Sequence, residues 1–180
     1  MRPSGKKPRR IPEFSSESER GEFYRNKALY YLEFKMRTEA EVRTYLKEWQ
    51  CPEDVLEDVI LFLEEYHYLD DARYAESFIR QEREFSHRSR RDIINRLKAK
   101  GVSDELISAA FSADADTDEE ESPVDPELEQ CLILVRKRMK AGKTDRDKMI
   151  SFLQRRGFTY GTIKQSLAEA ELNADEYYEP

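Results

Sequence analysis

A pattern of apolar residues occurs three times along the chain, and this internal repeat limits the folds that are possible. Without gaps, the first two copies align at an offset of 51 residues and the last two at an offset of 56. Four apolar positions coincide in all three copies: Val42, Ile93 and Met149; Leu46, Leu97 and Leu153; Cys51, Val102 and Phe158; Leu56, Ile107 and Ile163. Each copy is a three-helix unit too small to bury a core alone, so we expect the copies to stack on one another.

Signals for the ends of helices recur at equivalent places in the copies. Thr38-Glu39-Ala40-Glu41 is a capping box, and Asp70 is placed to cap a helix that begins the second copy. Gly101 and Gly157 are suited to the left-handed residue that ends a helix. The first copy has Gln50 at that position, which we expect to cost about 1 kcal/mol. Pro52 is predicted as the first residue of the next helix.

These signals predict an all-α protein of three tandem three-helix repeats, forming an elongated, curved array of right- or left-handed sense. Helical pattern begins near Tyr24 and runs to Met36. The predicted segments are a disordered basic tail (1–22), repeat 1 (23–68), repeat 2 (69–112), an acidic linker (113–126), repeat 3 (127–172) and an acidic C-terminal tail (173–180).

Composition favours a cytoplasmic protein with much exposed helix surface. Charged residues make up 38% of the chain, which is well above the usual share. The apolar runs are far shorter than the roughly 20 residues that span a bilayer, so we expect no membrane contact. The basic N-terminus lacks the apolar stretch of a secretory signal. Cys51 and Cys131 lack metal-ligand spacing, and we interpret Cys51 as a small core residue.

No motif for catalysis is present in the sequence. There is no glycine-rich phosphate loop, no HExxH and no nucleophile elbow. His67 and His87 have polar neighbours, which favours surface positions over metal ligation. Helix capping accounts for Asp70, and the helix dipole accounts for Asp71. We therefore expect no enzyme, no cofactor and no metal, and a function based on binding.

The charged residues alternate in acidic and basic blocks along a chain of net charge −7. Three-helix domains that read DNA need Arg, Lys, Asn or Gln on their third helix, whereas the third helices here are acidic or carry little charge. The basic residues instead lie on the first and second helices of repeats 2 and 3. Such stripes suit a phosphate backbone or an acidic protein groove, with strong salt dependence. Ordinary solvated helix faces are an equally good interpretation of any single residue.

Several segments resemble one known family. Leu69 to Ala75 with Phe78 and Ile79, Leu97 with Lys100 to Ser103, and Arg155 to Tyr160 with Ile163 resemble the signature segments of the RecX family of recombinase regulators. The opening Ala28/Leu32 pair and Arg37-Thr38 with Glu41-Val42 are similar to that family's first repeat. The resemblance covers roughly residues 24–170, in the family's order.

The resemblance implies a cytoplasmic, non-enzymatic protein that binds the RecA recombinase filament on single-stranded DNA. Family members typically suppress its ATPase, strand-exchange and coprotease activities, in DNA repair and the SOS response. It implies no cofactor, and we expect a monomer. Inhibition and activation, and capping and coating of the filament, remain open on the sequence alone, as does direct contact with single- or double-stranded DNA.

The residues that we predict to contact the filament or DNA are the following: Arg73, Tyr74, Arg83, Arg88, Arg90, Arg91, Lys98, Lys137, Arg138, Lys140, Lys143, Arg155 and Arg156. The family-motif residues that we predict to be structural are Asp70, Phe78, Gly101, Gly157 and Phe158. Replacement of Arg90, Arg91, Arg155 and Arg156 by Glu is expected to abolish filament binding without loss of helix.

Two features differ from the family pattern, and two other functions stay open. The acidic linker is longer than a typical repeat junction, so repeat 3 could swing, or the linker could mimic the charge of DNA. The basic tail could touch DNA or have no role. One alternative function is an autonomous DNA-binding helical-repeat protein without sequence specificity, and the other is a helical adaptor. Dependence on the recombinase would separate the regulator from the autonomous DNA binder, and failure to bind either DNA or recombinase would favour the adaptor.

Overall fold

A computed structural model describes residues 10–116 and 125–176. All regular structure in these two ranges is helical, which confirms the all-α prediction. The helices are α1 (Glu17–Leu32), α2 (Glu39–Glu48), α3 (Glu53–Glu65), α4 (Asp71–Gln81), α5 (Arg90–Ala99), α6 (Asp104–Asp116), α7 (Pro126–Lys140), α8 (Arg146–Arg155) and α9 (Tyr160–Glu176), with a π-helical turn at Glu82–Ser86. No helix in these ranges is long and apolar enough to cross a membrane.

The chain divides into two compact units, and the division passes through the second repeat. Unit 1 comprises Met1–Tyr74 with Lys100–Val102, and unit 2 comprises Ala75–Ala99 with Ser103–Pro180. Unit 1 therefore holds the first repeat together with a short segment that follows α5. Unit 2 holds most of the second repeat and the third repeat.

In unit 1, α1 packs against α2 and α3 around a core that includes Tyr24, Val42 and Leu56. Helix α1 begins at Glu17, so the predicted disordered tail (1–22) extends too far into the chain. Ser16 Oγ accepts the N–H of Glu19 at 3.2 Å, and Phe14 packs against the ring of Phe23. Helix α1 ends at Leu32, short of the predicted Met36. Residues 1–9 of the predicted tail lie outside the described ranges.

In unit 2, α7 packs along α9 with α8 against α9, around a core that includes Cys131, Leu153 and Phe158. Helix α6 continues to Asp116, into the predicted linker, because residues 112–116 contain neither Gly nor Pro to end it. Helix α9 continues to Glu176, into the predicted tail. Residues 117–124 and 177–180 lie outside the described ranges.

The predicted helix ends agree closely with the structure. Asp70 Oδ1 accepts the N–H of Arg73 at 2.8 Å, and Thr38 and Glu41 form the complete capping box. Gly101 and Gly157 have positive φ of 83° and 92°, and Gln50 adopts the same left-handed region at 56°. Pro52 was predicted to be the first residue of a helix. Helix α3 instead begins one residue later, at Glu53, and Pro52 directly precedes it.

Both cysteines are buried and free. Burial raises the pKa of the Cys51 thiol to about 12 and that of Cys131 to about 11. Neither thiol is therefore ionised near neutral pH, and the core interpretation of Cys51 is confirmed.

Candidate interaction surfaces

Within unit 1, the start of α2 meets the segment Lys100–Val102, which follows α5, and we call this contact the first joint. Thr38 is fully buried, and its Oγ1 donates a hydrogen bond to the carbonyl oxygen of Lys100 at 2.6 Å. Lys100 Nζ in turn lies 2.7 Å from Glu41 Oε1. A Cβ atom on Gly101 would overlap Cβ of Ala40. Glycine is therefore needed here for two reasons, the left-handed backbone and the close approach of α2.

The ion pair at the first joint is partly buried, and its charged state is favoured. Burial acts to raise the pKa of Glu41, but the hydrogen bonds from Lys100 and from the N–H of Thr38 outweigh it, so the pKa lies below its usual value. Burial acts in the opposite sense on Lys100, and the hydrogen bonds to Glu41 and Tyr74 keep its pKa above its usual value. Both groups are charged over the whole range near neutral pH.

The start of α5 meets the end of α8 within unit 2 in the same way, and this is the second joint. Ser89 is 1% exposed, and its N–H donates to the carbonyl oxygen of Arg156 at 3.2 Å. A Cβ atom on Gly157 would overlap Ser89 Oγ and lie 2.7 Å from Cβ of Asp92. Thr38 and Ser89 differ by 51 positions, and Gly101 and Gly157 by 56, so the joints follow the sequence repeat.

Two arginines near the second joint, Arg88 and Arg156, form hydrogen bonds and ion pairs within unit 2. Arg88 Nη1 donates to Asp92 at 2.7 Å, and Arg88 Nε lies 2.8 Å from Glu82 as an ion pair without hydrogen-bond alignment. Arg156 Nη1 donates to the carbonyl oxygen of Ser86. Burial, followed by the neighbouring Arg88, lowers the pKa of the Arg156 guanidinium. These two predicted contact residues are therefore held inside the unit.

The end of α2 in repeat 1 is equivalent to the segments that follow α5 and α8 in the two joints. It contacts a helix of its own repeat, α1, and not the start of another repeat's second helix. The carbonyl oxygens of Trp49 and Gln50 each accept from the hydroxyl of Tyr24 at 3.3 Å. Trp49 is the equivalent of Lys100 and Arg156 in the repeat. Because Gln50 is exposed, its side chain needs no room against another helix. This explains why the first repeat tolerates Gln where the others have Gly.

Most of the other predicted contact residues of repeat 2 also have partners. Arg83 forms an ion pair with Asp114, and Lys98 with Asp104 at 2.6 Å. The guanidinium of Arg90 lies 4.5 Å from the ring centroid of Phe111. Lys100 Nζ lies 5.6 Å from the ring of half-buried Tyr74. Arg73 and Arg91 are exposed.

The predicted contact residues of repeat 3 are mostly exposed. Lys137, Lys140, Lys143 and Arg155 have no acidic partner within the ranges that the structure covers. Arg138 is half-buried, with its guanidinium 4.2 Å from the ring centroid of Phe152. The structure thus separates the candidates into mainly paired cations in repeat 2 and mainly unpaired cations in repeat 3.

The residues predicted to be structural have structural surroundings, and some further residues were missed. Phe158 is buried, Phe78 is half-buried, and Asp70, Gly101 and Gly157 have the cap and joint roles given above. Contacts of Thr38 and Ser89 between repeats were not predicted, although the repeat offset aligns the two residues. The contact of His87 Nδ1 with Gln130 Oε1, at 2.8 Å, was not predicted either. No cluster of His, Cys, Asp or Glu in residues 10–116 and 125–176 could hold a metal ion.

Family models match the chain in three consecutive segments. They are described as the first, second and third three-helix domains of RecX, and they match residues 25–63, 70–110 and 125–167. The chain belongs to the RecX family. The joints described above thus lie between successive three-helix domains of this regulatory protein family.

Curated relatives with the name regulatory protein RecX support the assignment. The chain is 35% identical over 150 residues to the Lactococcus lactis subsp. cremoris protein, covering 83% of this chain and 55% of that protein. It is 30% identical over 156 residues to the Bacillus velezensis protein, covering 84% and 56%. The Finegoldia magna protein is 31% identical over 144 residues, covering 77% and 67%. The chain thus spans a little over half the length of most of these relatives.

Solved structures of RecX proteins share the fold. The crystal structure of RecX from Lactobacillus salivarius has a TM-score of 0.68 and 25% identity, covering 86% of this chain and 99% of that one. A second crystal structure of regulatory protein RecX has a TM-score of 0.65 at 21% identity, covering 84% and 74%. The second likeness concerns the fold alone.

Proposed function

We propose that this protein regulates the RecA recombinase by binding the RecA filament on single-stranded DNA. It lowers the ATPase, strand-exchange and coprotease activities of the filament, and so acts in DNA repair and the SOS response. The observation that carries this proposal is the tandem order of three RecX three-helix domains along the chain. The protein acts by binding and not by catalysis, as a cytoplasmic monomer.

The exposed faces of the third helices support a regulator over a reader of DNA sequence. Helix α3 exposes Glu53, Asp54, Glu57 and Asp58, and α6 exposes Asp104 and Glu105. Carboxylates on these faces would repel the phosphates that flank a DNA groove. In α9 the exposed candidates are Lys164 and Gln165. A protein surface is therefore the better partner for most of the chain.

The test is the single-stranded-DNA-dependent ATPase of the cognate recombinase, titrated with this protein at two salt concentrations. We expect inhibition at well below one copy per recombinase protomer, because one bound copy would block several protomers. An ATPase that stays unchanged at a stoichiometric excess of the protein, with the filament assembled, contradicts the proposal.

A second candidate function is autonomous DNA binding, and the unpaired cations of repeat 3 favour it. Co-sedimentation with recombinase filaments, compared with co-sedimentation on bare single-stranded DNA, separates the two functions. The regulator is expected to sediment with the filament and to do so much less with bare DNA. Equal binding to both would favour the autonomous DNA binder.

A further inference from the structure

Four cations follow one another closely in the sequence at the end of α7 and just after it, and we call them the α7 stripe. Its members are Arg136, Lys137, Lys140 and Lys143. Arg136 and Lys140 are four residues apart, and Lys137 and Lys140 are three apart, so helical geometry places them on one face. The buried residues of α7, such as Leu128, Cys131 and Val135, lie on the opposite face. All four cations are exposed to solvent.

No acidic side chain neutralises the α7 stripe in the part of the chain that the structure describes. The sequence from Gln130 to Thr144 contains no Asp or Glu. Glu129 lies two helical turns before Arg136, about 10 Å along the axis. The neighbouring cations Arg146 and Lys148, by contrast, pair with Glu171 and Asp145. The positive charge of the stripe is therefore available to an external anion.

The helix dipole accounts for part of the stripe but not for all of it. Cations in the last turn of a helix are favoured by the negative end of the dipole, and this suffices for Lys137 and Lys140. Arg136 precedes the last turn, and Lys143 follows the end of α7. The dipole effect is confined to about one turn, so it gives no reason for cations at these two positions.

The chemistry of the stripe fits phosphates better than it fits a protein surface. Three of its four members are Lys, a flexible and strongly hydrated point charge that is depleted in protein interfaces. It contains no exposed aromatic residue, the kind of anchor that protein interfaces are built on. The exposed aromatic residues of the described ranges lie outside α7, at Tyr30, Phe34, Tyr66, Tyr68, Phe85 and Tyr160. Phosphate backbones are bound by such Lys-rich stripes without base-specific contacts.

We propose that the α7 stripe binds the phosphate backbone of DNA directly. The structure assigns this role to repeat 3 because the predicted contact cations Arg83, Arg88 and Lys98 of repeat 2 already form ion pairs within unit 2. The inference deepens the second candidate function, on which it rests, by naming the residues that contact DNA without a recombinase.

The experiment compares two triple variants of the full chain that lose the same charge. The stripe variant is Lys137→Gln, Lys140→Gln and Lys143→Gln. The control variant is Lys47→Gln, Arg146→Gln and Lys148→Gln, whose cations pair with Glu53, Glu171 and Asp145. Binding to a short fluorescent single-stranded oligonucleotide, without recombinase, is measured by anisotropy over a range of salt concentrations. Circular dichroism checks that both variants remain helical.

We expect the stripe variant to bind about tenfold more weakly at low salt, and the control variant to bind like the unaltered protein. The slope of log affinity against log salt should flatten by about 2 in the stripe variant, since each lost phosphate contact on a single strand contributes about 0.7. Absence of DNA binding by the unaltered protein, or equal losses in both variants, would overturn the inference. If the stripe variant binds the oligonucleotide like the unaltered protein but co-sediments less with recombinase filaments, the stripe contacts the recombinase instead. None of these outcomes depends on the ATPase test of the proposed function.

Discussion

The two joints share one backbone design but differ in their charges. In each, a buried hydroxyl residue at the start of a second helix, Thr38 or Ser89, meets a left-handed glycine at the end of the next repeat's second helix. At the first joint Lys100 meets the carboxylate of Glu41, whereas at the second joint Arg156 lies near the like-charged Arg88. The close approach of the backbone is thus the constant feature, and the charges around it vary.

The largest effect is expected from filling the two joints. Gly101→Ala and Gly157→Ala each add a Cβ atom that overlaps a neighbouring helix, in addition to the strain of positive φ. We expect each substitution to lower the free energy of unfolding by about 3 kcal/mol, measured by urea denaturation.

Gly142 provides a matched control for backbone strain. Its φ is +70°, and an added Cβ would have nothing within 4 Å. Gly142→Ala should therefore cost only about 1 kcal/mol. If Gly142→Ala proved as costly as the other two substitutions, backbone strain alone would account for the glycines, and close packing at the joints would be excluded.

The two buried hydroxyl residues, Thr38 and Ser89, should differ in how much they contribute to the stability of the protein. Thr38 Oγ1 accepts the N–H of Glu41 at 3.2 Å and also donates to Lys100 across the joint. Ser89 Oγ accepts the N–H of Asp92 at 3.2 Å, but its joint bond is made by the backbone. We expect Thr38→Val to cost about 2 kcal/mol and Ser89→Ala about 1 kcal/mol, measured by thermal unfolding. Equal costs would mean that the Thr38 side chain contributes nothing to the first joint.

Local sequence signals predicted the helices and their caps, because those depend on residues within one turn of each other. The repeat offset also aligned Gly101 with Gly157 and Thr38 with Ser89, although only the structure shows that they meet. Local sequence signals did not predict which cations form contacts within the protein and which remain exposed. Arg156 donates to Ser86, 70 residues away in sequence, so no local pattern distinguishes it from an exposed arginine.

The internal hydrogen bond of Arg156 changes how the charge-reversal experiment predicted from the sequence should be designed. Arg156→Glu would remove its hydrogen bond to Ser86 and place a carboxylate against the ring of Phe152. Loss of filament binding in a variant that includes it would mix a folding defect with a lost contact. Exposed Arg91 and Arg155 remain suitable for such a test.

The first joint should weaken in acid because of its ion pair. The pKa of Glu41 lies below its usual 4.5, so the stability that its carboxylate provides is complete above that value and is lost as the pH falls through the lowered pKa. Glu41→Gln should cost about 1 kcal/mol at neutral pH, and the cost should shrink as the pH falls below 4.5. Urea denaturation of both proteins at several pH values gives this difference, and a cost that is constant with pH would contradict it.

The smallest change in the free energy of unfolding is expected for Asp71→Asn. This substitution should stabilise the protein, whereas the preceding substitutions destabilise it. Asp71 Oδ1 accepts the N–H of Glu39 at 2.9 Å, and burial raises the pKa of Asp71 above its usual 3.8. The stability linked to this group is therefore present below pH 3.8 and is lost as the pH rises through the raised pKa. Asp71→Asn keeps the acceptor oxygen and removes the penalised charge. It should stabilise the protein at neutral pH by no more than about 0.5 kcal/mol, with the gain vanishing in acid.

Glu127 offers the same test in unit 2, where it occupies the position equivalent to Asp71 in the repeat. Burial, followed by the charge of Asp125, raises the pKa of Glu127 even though Arg91 and Arg90 oppose the shift. Glu127→Gln should therefore change stability in the same direction as Asp71→Asn, measured as a difference in unfolding midpoint between neutral and acidic pH. A gain for Asp71→Asn and a loss for Glu127→Gln would mean that the attraction of Arg91 and Arg90 outweighs the effect of burial at Glu127.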